Sequence, residues 1–272
     1  MDIVEKLERD RPAFHWGGTR RWDTAPETLR EIERTVSEDM QTLETGCGAS
    51  TVVFAASRAQ HTVISPTGDE QARVRDYLSE NEIDSSKVTF EVGFSDDVLP
   101  KLASNPNRTA EWEAWCEEHF ASPEEVADDE LFKSSHDRSF DYIFLDGAHA
   151  FPYPIVDWHY SMNLLRVGGR MLVDDIPIPA VACIYQYMIS DPSWKRLNIY
   201  DNRSALFELV AEPAPEDWTL QQYNHHPYFG FAPPLKRVYL RSASELTRLR
   251  PVLGERMPRL RQAWRRWSQR SL

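Results

Sequence analysis

Apolar residues recur along the chain with two spacings, and the switches between them predict the elements. A helix spans Pro26 to Val36, with Thr24 as its cap and Pro26 in its first turn. Gln41 to Glu44 reads as a strand, Thr45 to Ser50 as a glycine turn, and the apolar stretch Thr51 to Ala56 as a helix. His61 to Ile64 is a β-branched strand that breaks at Pro66 and Gly68, and Asp69 to Glu80 is helical. Lys87 to Val92 is a third strand, ending at Gly93. Phe140 to Leu145 is a fourth, which delivers Asp146-Gly147-Ala148-His149 at its C-terminal end. After a helix at Ile155 to Leu165 and a turn at Val167-Gly168-Gly169, the strand Arg170 to Val173 delivers Asp174-Asp175. Arg196 to Tyr200 and Ala205 to Val210 flank Asp201-Asn202-Arg203-Ser204 as a hairpin that closes the sheet. Strands that alternate with helices predict an α/β fold, a doubly wound, mostly parallel, seven-stranded sheet covered on both faces.

Residues 104–139 break this rhythm with a polar segment that contains Trp112 and Trp115. It reads as a helical insertion, because a structureless loop of that length is uncommon inside a compact domain. The expected organisation is an N-terminal helical lid over 1–38, the sheet domain over 39–210, and an extension over 211–272. That extension has an aromatic loop and a basic helix.

Composition narrows the class. With 41% hydrophobic and 27% charged residues, the chain is neither a disordered tail nor a fibrous repeat. No apolar run approaches the roughly 18–20 residues of a spanning helix, and the charged start MDIVEKLERDRP lacks the apolar core of a signal peptide. A cytoplasmic protein without a membrane partner is expected. Cys47, Cys116 and Cys183 lie far apart without a CxxC pair, which suggests reduced thiols rather than disulfides or a structural zinc site. The net charge of −12 divides into +9 for Lys236 to Arg270 and −21 for the rest. An acidic body disfavours nucleic acid as a partner. The basic tail reads as a solvated helix or as a partner for an acidic body, and meeting that of a second chain it would build a homodimer.

In an open parallel sheet, ligands bind outside the C-terminal strand ends, so the residues there belong together. The turn Glu44-Thr45-Gly46-Cys47-Gly48-Ala49-Ser50 lacks the third glycine of a dinucleotide fingerprint, and the chain has no GxxxxGK[ST] phosphate loop. Leu43 to Thr51 resembles the first motif of class I S-adenosylmethionine-dependent methyltransferases. Gly93-Phe94-Ser95-Asp96 resembles the adenine-holding segment of their catechol and caffeoyl-CoA O-methyltransferase branch. Asp146 and Asp174-Asp175 stand where that branch, like the sugar O-methyltransferases, places divalent-metal ligands. The resemblance covers roughly residues 40 to 210 and implies a Rossmann-like fold that binds S-adenosylmethionine. It assigns the cofactor to Glu44, Gly46, Cys47, Gly48, Ser50 and Thr51, together with Ser65, Ser95, Asp96 and Asp146. One departure stands out: the second strand ends in Ser65-Pro66-Thr67, where the family has a ribose-binding acid, and Asp69 or Glu70 would have to reach the ribose instead.

Three carboxylates at one sheet end repel unless a cation or protons intervene, and an all-oxygen set at Asp146, Asp174 and Asp175 suits Mg²⁺ or another divalent ion. Such an ion would lower the pKa of a bound hydroxyl. The alternative makes Asp175 a helix cap and Asp174 a solvated strand end. His149, three residues after Asp146, is a candidate catalytic base beside it. Asp157 and His159 read as packing or surface residues, and His225-His226 as part of an aromatic loop. Aromatic residues of the flanking loops, Trp16, Tyr153 and Trp158 among them, would contact a planar or sugar-like small molecule. The expected activity is methyl transfer to a small-molecule hydroxyl with divalent-metal assistance. The rivals are a metal-independent N-methyltransferase, a noncatalytic protein that binds S-adenosylmethionine or serves as a scaffold, and last an oxidoreductase.

Overall fold

Side chains alternate strictly along the central strands, so each strand serves two cores at once. Tyr142 and Phe144 pack into one layer and Ile143 and Leu145 into the other; Leu172 is likewise flanked by Met171 and Val173 facing the opposite way. The computed structural model describes residues 2–18, 24–103, 138–213 and Tyr223. The chain divides into two compact units, Met1–Pro215 and Glu216–Leu272, and all described elements belong to the first. The insertion, apart from Arg138 and Ser139, lies outside the described residues, as do Cys116, His225-His226 and the basic tail.

The strands are β1 (Gln41–Thr45), β2 (Gln60–Ser65), β3 (Val88–Val92), β4 (Phe140–Leu145), β5 (Leu165–Val173), β6 (Trp194–Tyr200) and β7 (Ser204–Leu209). They form one seven-stranded sheet in the order β3-β2-β1-β4-β5-β7-β6. Only β7 runs against the others. The order reverses at β1, which places a crevice between β1 and β4 at their C-terminal ends. The fold class matches the expectation, including the closing hairpin.

The helices α1 (Ile3–Asp10), α2 (Pro26–Thr35), α3 (Ala49–Ser57) and α4 (Gly68–Glu80) supply the first layer through Leu7, Ile32, Val52 and Leu78. The second layer holds Leu99 of α5 (Ser95–Ala103), Leu164 of α6 (Tyr153–Leu164) and Ile184 of α7 (Pro179–Ser190). Asp2 caps α1 by accepting from the Val4 and Glu5 amides. Phe14 then meets Tyr77 of α4 edge-on at 5.7 Å, and Arg73 donates to the Phe14 carbonyl. These contacts bring His15 to the C-terminal end of the sheet.

Two local expectations are corrected. The turn at Val167-Gly168-Gly169 lies inside β5: Phe140 pairs with Leu165 but Tyr142 with Arg170, so the extra residues bulge without ending the strand. Thr24 does not cap α2; Ala25 holds that position without a side-chain bond, and Thr24 reaches into the crevice. No helix among the described residues is long and apolar enough to cross a membrane.

Candidate active site

The glycine turn after β1 is shaped by its neighbours. Gly46 has φ +99°, and a Cβ there would lie 2.3 Å from the Asp146 carbonyl oxygen. Its glycine is therefore required by the crossing of the β4 end, before any ligand is considered. The Gly48 amide donates to Thr51 Oγ1 at 3.0 Å, and that hydroxyl donates to Glu44 Oε1. The same oxygen lies 3.2 Å from His61 Nε2, while His61 Nδ1 meets Thr42 Oγ1 at 2.9 Å and its ring stacks on Phe54. Glu44 and Thr51 are fully buried. They brace the turn from behind, whereas the sequence reading placed them among the cofactor contacts. The residue type was legible there, but the direction of a side chain at the last turn of a strand was not.

In front of the turn lies a cleft of about 840 Å³, within the ~300–1,000 Å³ of small-molecule sites. Gly46, Cys47, Gly48 and Ser50 line it on the β1 side, and Ser65, Ser95 and Asp96 on the β2 and β3 side. Burial pushes the Cys47 thiol up, so it lines the cleft as a protonated, unreactive group. Past Ser65 and Pro66 the wall continues with Glu70 on α4, whose Oε1 is 3.3 Å from His15 Nδ1. A Cβ on Gly48 would approach His15 Nε2 to 3.3 Å, so the imidazole closes directly over the glycine turn. His15 falls within the expected N-terminal lid over 1–38, and Glu70 is one of the two substitutes expected for the missing acid.

The other end of the cleft is built by Asp146, His149, Tyr153, Asp175 and Arg203. His149 Nε2 stands 3.2 Å from Asp175 Oδ2 and 3.7 Å from Asp146 Oδ1. Thr24 donates to Asp146 Oδ2 at 3.2 Å. Burial, and then the charge of Asp174, push the Asp146 carboxyl well above the usual carboxylate range. Asp174 does not line this cleft; it is 1% exposed, Arg203 donates to its Oδ2 at 2.8 Å, and the Ser204 hydroxyl donates to its Oδ1. Arg203 Nε is also 2.9 Å from Asp175 Oδ1. Asp175 has φ +54° and precedes α7, whose cap is Ile178, so neither the helix cap nor the solvated strand end describes this pair.

Residues 43–176 match the family model of a methyltransferase domain. From β1 to just past β5 the chain is thus similar to a methyltransferase domain. Solved structures that share the chain's fold include a cofactor-bound protein from MTB, 16% identical, covering 77% of this chain and 91% of that one with a TM-score of 0.54. An O-methyltransferase from Bacillus cereus in complex with SAH is 13% identical over 78% and 92% of the two chains, with a TM-score of 0.51. No curated protein sequence matches the chain.

Set against the geometry of the cleft, the expected substrate contacts separate. Tyr153 lines the cleft. Trp158, five residues on along the same helix, packs instead against Tyr187 of α7 at 5.0 Å between ring centres. The side chain of Trp16 lies outside the described residues. Asp157, read as packing or surface, is buried beneath Gly147, and burial raises its carboxyl to about 6 against the opposing hydrogen bonds of Ser95 and Thr45.

S-adenosylmethionine and a divalent ion fare differently as candidate occupants. The backbone of the glycine turn and the hydroxyl residues Ser50, Ser65 and Ser95 line the cleft, a set of polar groups suited to a ligand that carries hydroxyls and an amine. The ion's expected cage is not open in the same way. Asp146, His149 and Asp175 each offer a ligand atom within 4.8 Å of the others. Asp174, however, is closed by Arg203 and Ser204, and Asp175 is already shared between a guanidinium and an imidazole. The residues present thus do not fit the Asp146, Asp174, Asp175 cage that the resemblance implies. Arg203 was missed because it was read as a hairpin residue. The signal was topological: a strand antiparallel to β5 starts where β5 ends, so the register carries Ser204 opposite Asp174 and Arg203 opposite Asp175.

Proposed function

We propose that the protein transfers a methyl group from S-adenosylmethionine to a hydroxyl group of a small molecule. The observation that carries this reading is one continuous cleft with the glycine turn at one end and His149 between two carboxylates at the other. When bound, S-adenosylmethionine supplies a sulfonium methyl with a neutral thioether leaving group. The chain's own residues then have two tasks. The turn and the Ser65, Ser95 and Asp96 wall hold the donor in line, and alignment supplies much of the rate in such a displacement.

The acceptor end handles the proton. Attack on that methyl would require the acceptor hydroxyl to give up its proton, and His149 is the group placed to take it. Asp175 and, farther off, Asp146, which is bonded to Thr24, both face His149 Nε2; they orient the imidazole and stabilise the cation that results. An amine in its neutral form needs no such removal before attack, which is why a base flanked by carboxylates favours a hydroxyl. No divalent ion enters this reading, since Arg203 occupies the carboxylates that would hold it.

The test is transfer of labelled methyl from S-adenosylmethionine to paired panels of hydroxyl and amine acceptors, phenols and sugars among the former. Methylated hydroxyls are expected, with His149→Gln lowering kcat by about 10²-fold or more at little change in KM. Methylation confined to amines, or a His149→Gln enzyme as fast as wild type, would overturn the proposal.

A further inference from the structure

Arg203 is held where it stands by the hairpin itself. Asp201 and Asn202, the central residues of the turn from Tyr200 to Arg203, both adopt left-handed conformations, φ 50° and 53°. The Arg203 amide then donates to the Tyr200 carbonyl at 2.9 Å, and its carbonyl accepts from the Ile176 amide at 2.9 Å. The second of these bonds ties the hairpin to the segment just past Asp175. From this fixed backbone the guanidinium reaches both strand-end carboxylates, Asp174 at 2.8 Å and Asp175 at 2.9 Å.

The surroundings of Asp174 are complete. Its two oxygens accept from Arg203 and from Ser204, whose hydroxyl is in turn 2.7 Å from Thr28 Oγ1 on α2. A buried carboxylate is stable when paired with a cation and otherwise hydrogen-bonded, and this one has both without an ion. Asp175 is divided: Oδ1 faces Arg203 Nε, and Oδ2 faces His149 Nε2 at 3.2 Å. A line of contacts thus runs from Arg203 through Asp175 to the imidazole.

We propose that Arg203 is the resident cation of the acceptor end, a positioning residue that stands in for a divalent metal ion and, through Asp175, orients His149. Its charge balances part of the three-carboxylate cluster, and its fork fixes the two side chains an ion would otherwise have to gather. The same charge repels a divalent ion from the remaining donors, Asp146, His149 and Asp175. A lysine at this position would keep the charge and lose the fork, whereas a methionine would keep only the bulk.

The inference rests on the methyl-transfer reading only for its effect on His149; the ion binding is independent of it. The experiment uses EDTA-treated full-length protein, Mn²⁺ as the probe followed by electron paramagnetic resonance, and S-adenosylhomocysteine followed by calorimetry on the same samples. Wild type and Arg203→Lys are expected to show no saturable Mn²⁺ site tighter than about 1 mM. Arg203→Met is expected to gain one site at least about tenfold tighter, abolished by a further Asp175→Asn, as for other changes to the groups around a metal's ligands. Micromolar Mn²⁺ binding by wild type that Asp175→Asn removes would overturn the proposal, and so would an Arg203→Met protein that gains nothing. If Arg203→Met does not fold, wild type and Arg203→Lys still decide, because tight binding by either contradicts it. Wild-type protein that fails to bind S-adenosylhomocysteine would overturn the methyl-transfer reading instead, leaving the Mn²⁺ results to judge Arg203.

Discussion

The carboxyl of Asp157 illustrates how much one buried residue can decide. It sits under the floor of the cleft, near Thr45 and Ser95, and its Oδ1 has no hydrogen-bond partner among the described residues. An unfolded chain releases this proton near 3.8, whereas the folded protein holds it to about 6. Between those values the native state binds more protons than the unfolded state, so stability falls as pH rises from about 4 to about 6 and is level above that. The shift corresponds to about 3 kcal/mol. Asp157→Asn removes the penalty and keeps an acceptor for Ser95 and Thr45. Its urea-unfolding free energy is expected to match wild type near pH 4 and exceed it by up to about 3 kcal/mol at pH 7.5. Stability curves that run parallel across that range would show that the carboxyl does not titrate as described. The glycine turn makes a related point: Gly46 and the buried chain from Gly48 through Thr51 to Glu44 set its shape before a ligand arrives.

Single elements divide their work between the cleft and the core, and α6 does so within two turns. Tyr153 at its start is 37% exposed and lines the cleft, while Trp158 is turned onto α7. Tyr153→Ala is therefore expected to raise the acceptor KM with little loss of stability, and Trp158→Ala to cost about 2 kcal/mol of stability with KM unchanged for the folded fraction. Urea unfolding and steady-state kinetics on the pair check this, and exchanged phenotypes would contradict it. At this scale the sequence reading had clear limits. Both aromatics follow the same strand-end loop, so proximity in sequence named them together, and only the rotation of the helix separates them. The glycines of β5 signalled a turn, but a bulge uses the same residues. Thr24 preceded a proline-led helix and so resembled a cap, while its hydroxyl had a better partner in Asp146, 122 residues away.

For the whole molecule, the succession of strands and helices along the chain, the glycine turn and the strand-end carboxylates were all legible, because they depend on local alternation and on where parallel strands must end. Arg203 was not, since its place depends on β7 being inserted between β5 and β6, an order set by packing rather than by chain sequence. The consequence is chemical: three aspartates read alone call for an ion, and the same three with an arginine do not. The central claim is that this cleft takes a methyl donor. Calorimetric titration of S-adenosylhomocysteine into the full-length protein tests it most directly. The account predicts saturable binding of one molecule per chain, unaffected by EDTA; no binding with or without added divalent ions would contradict it.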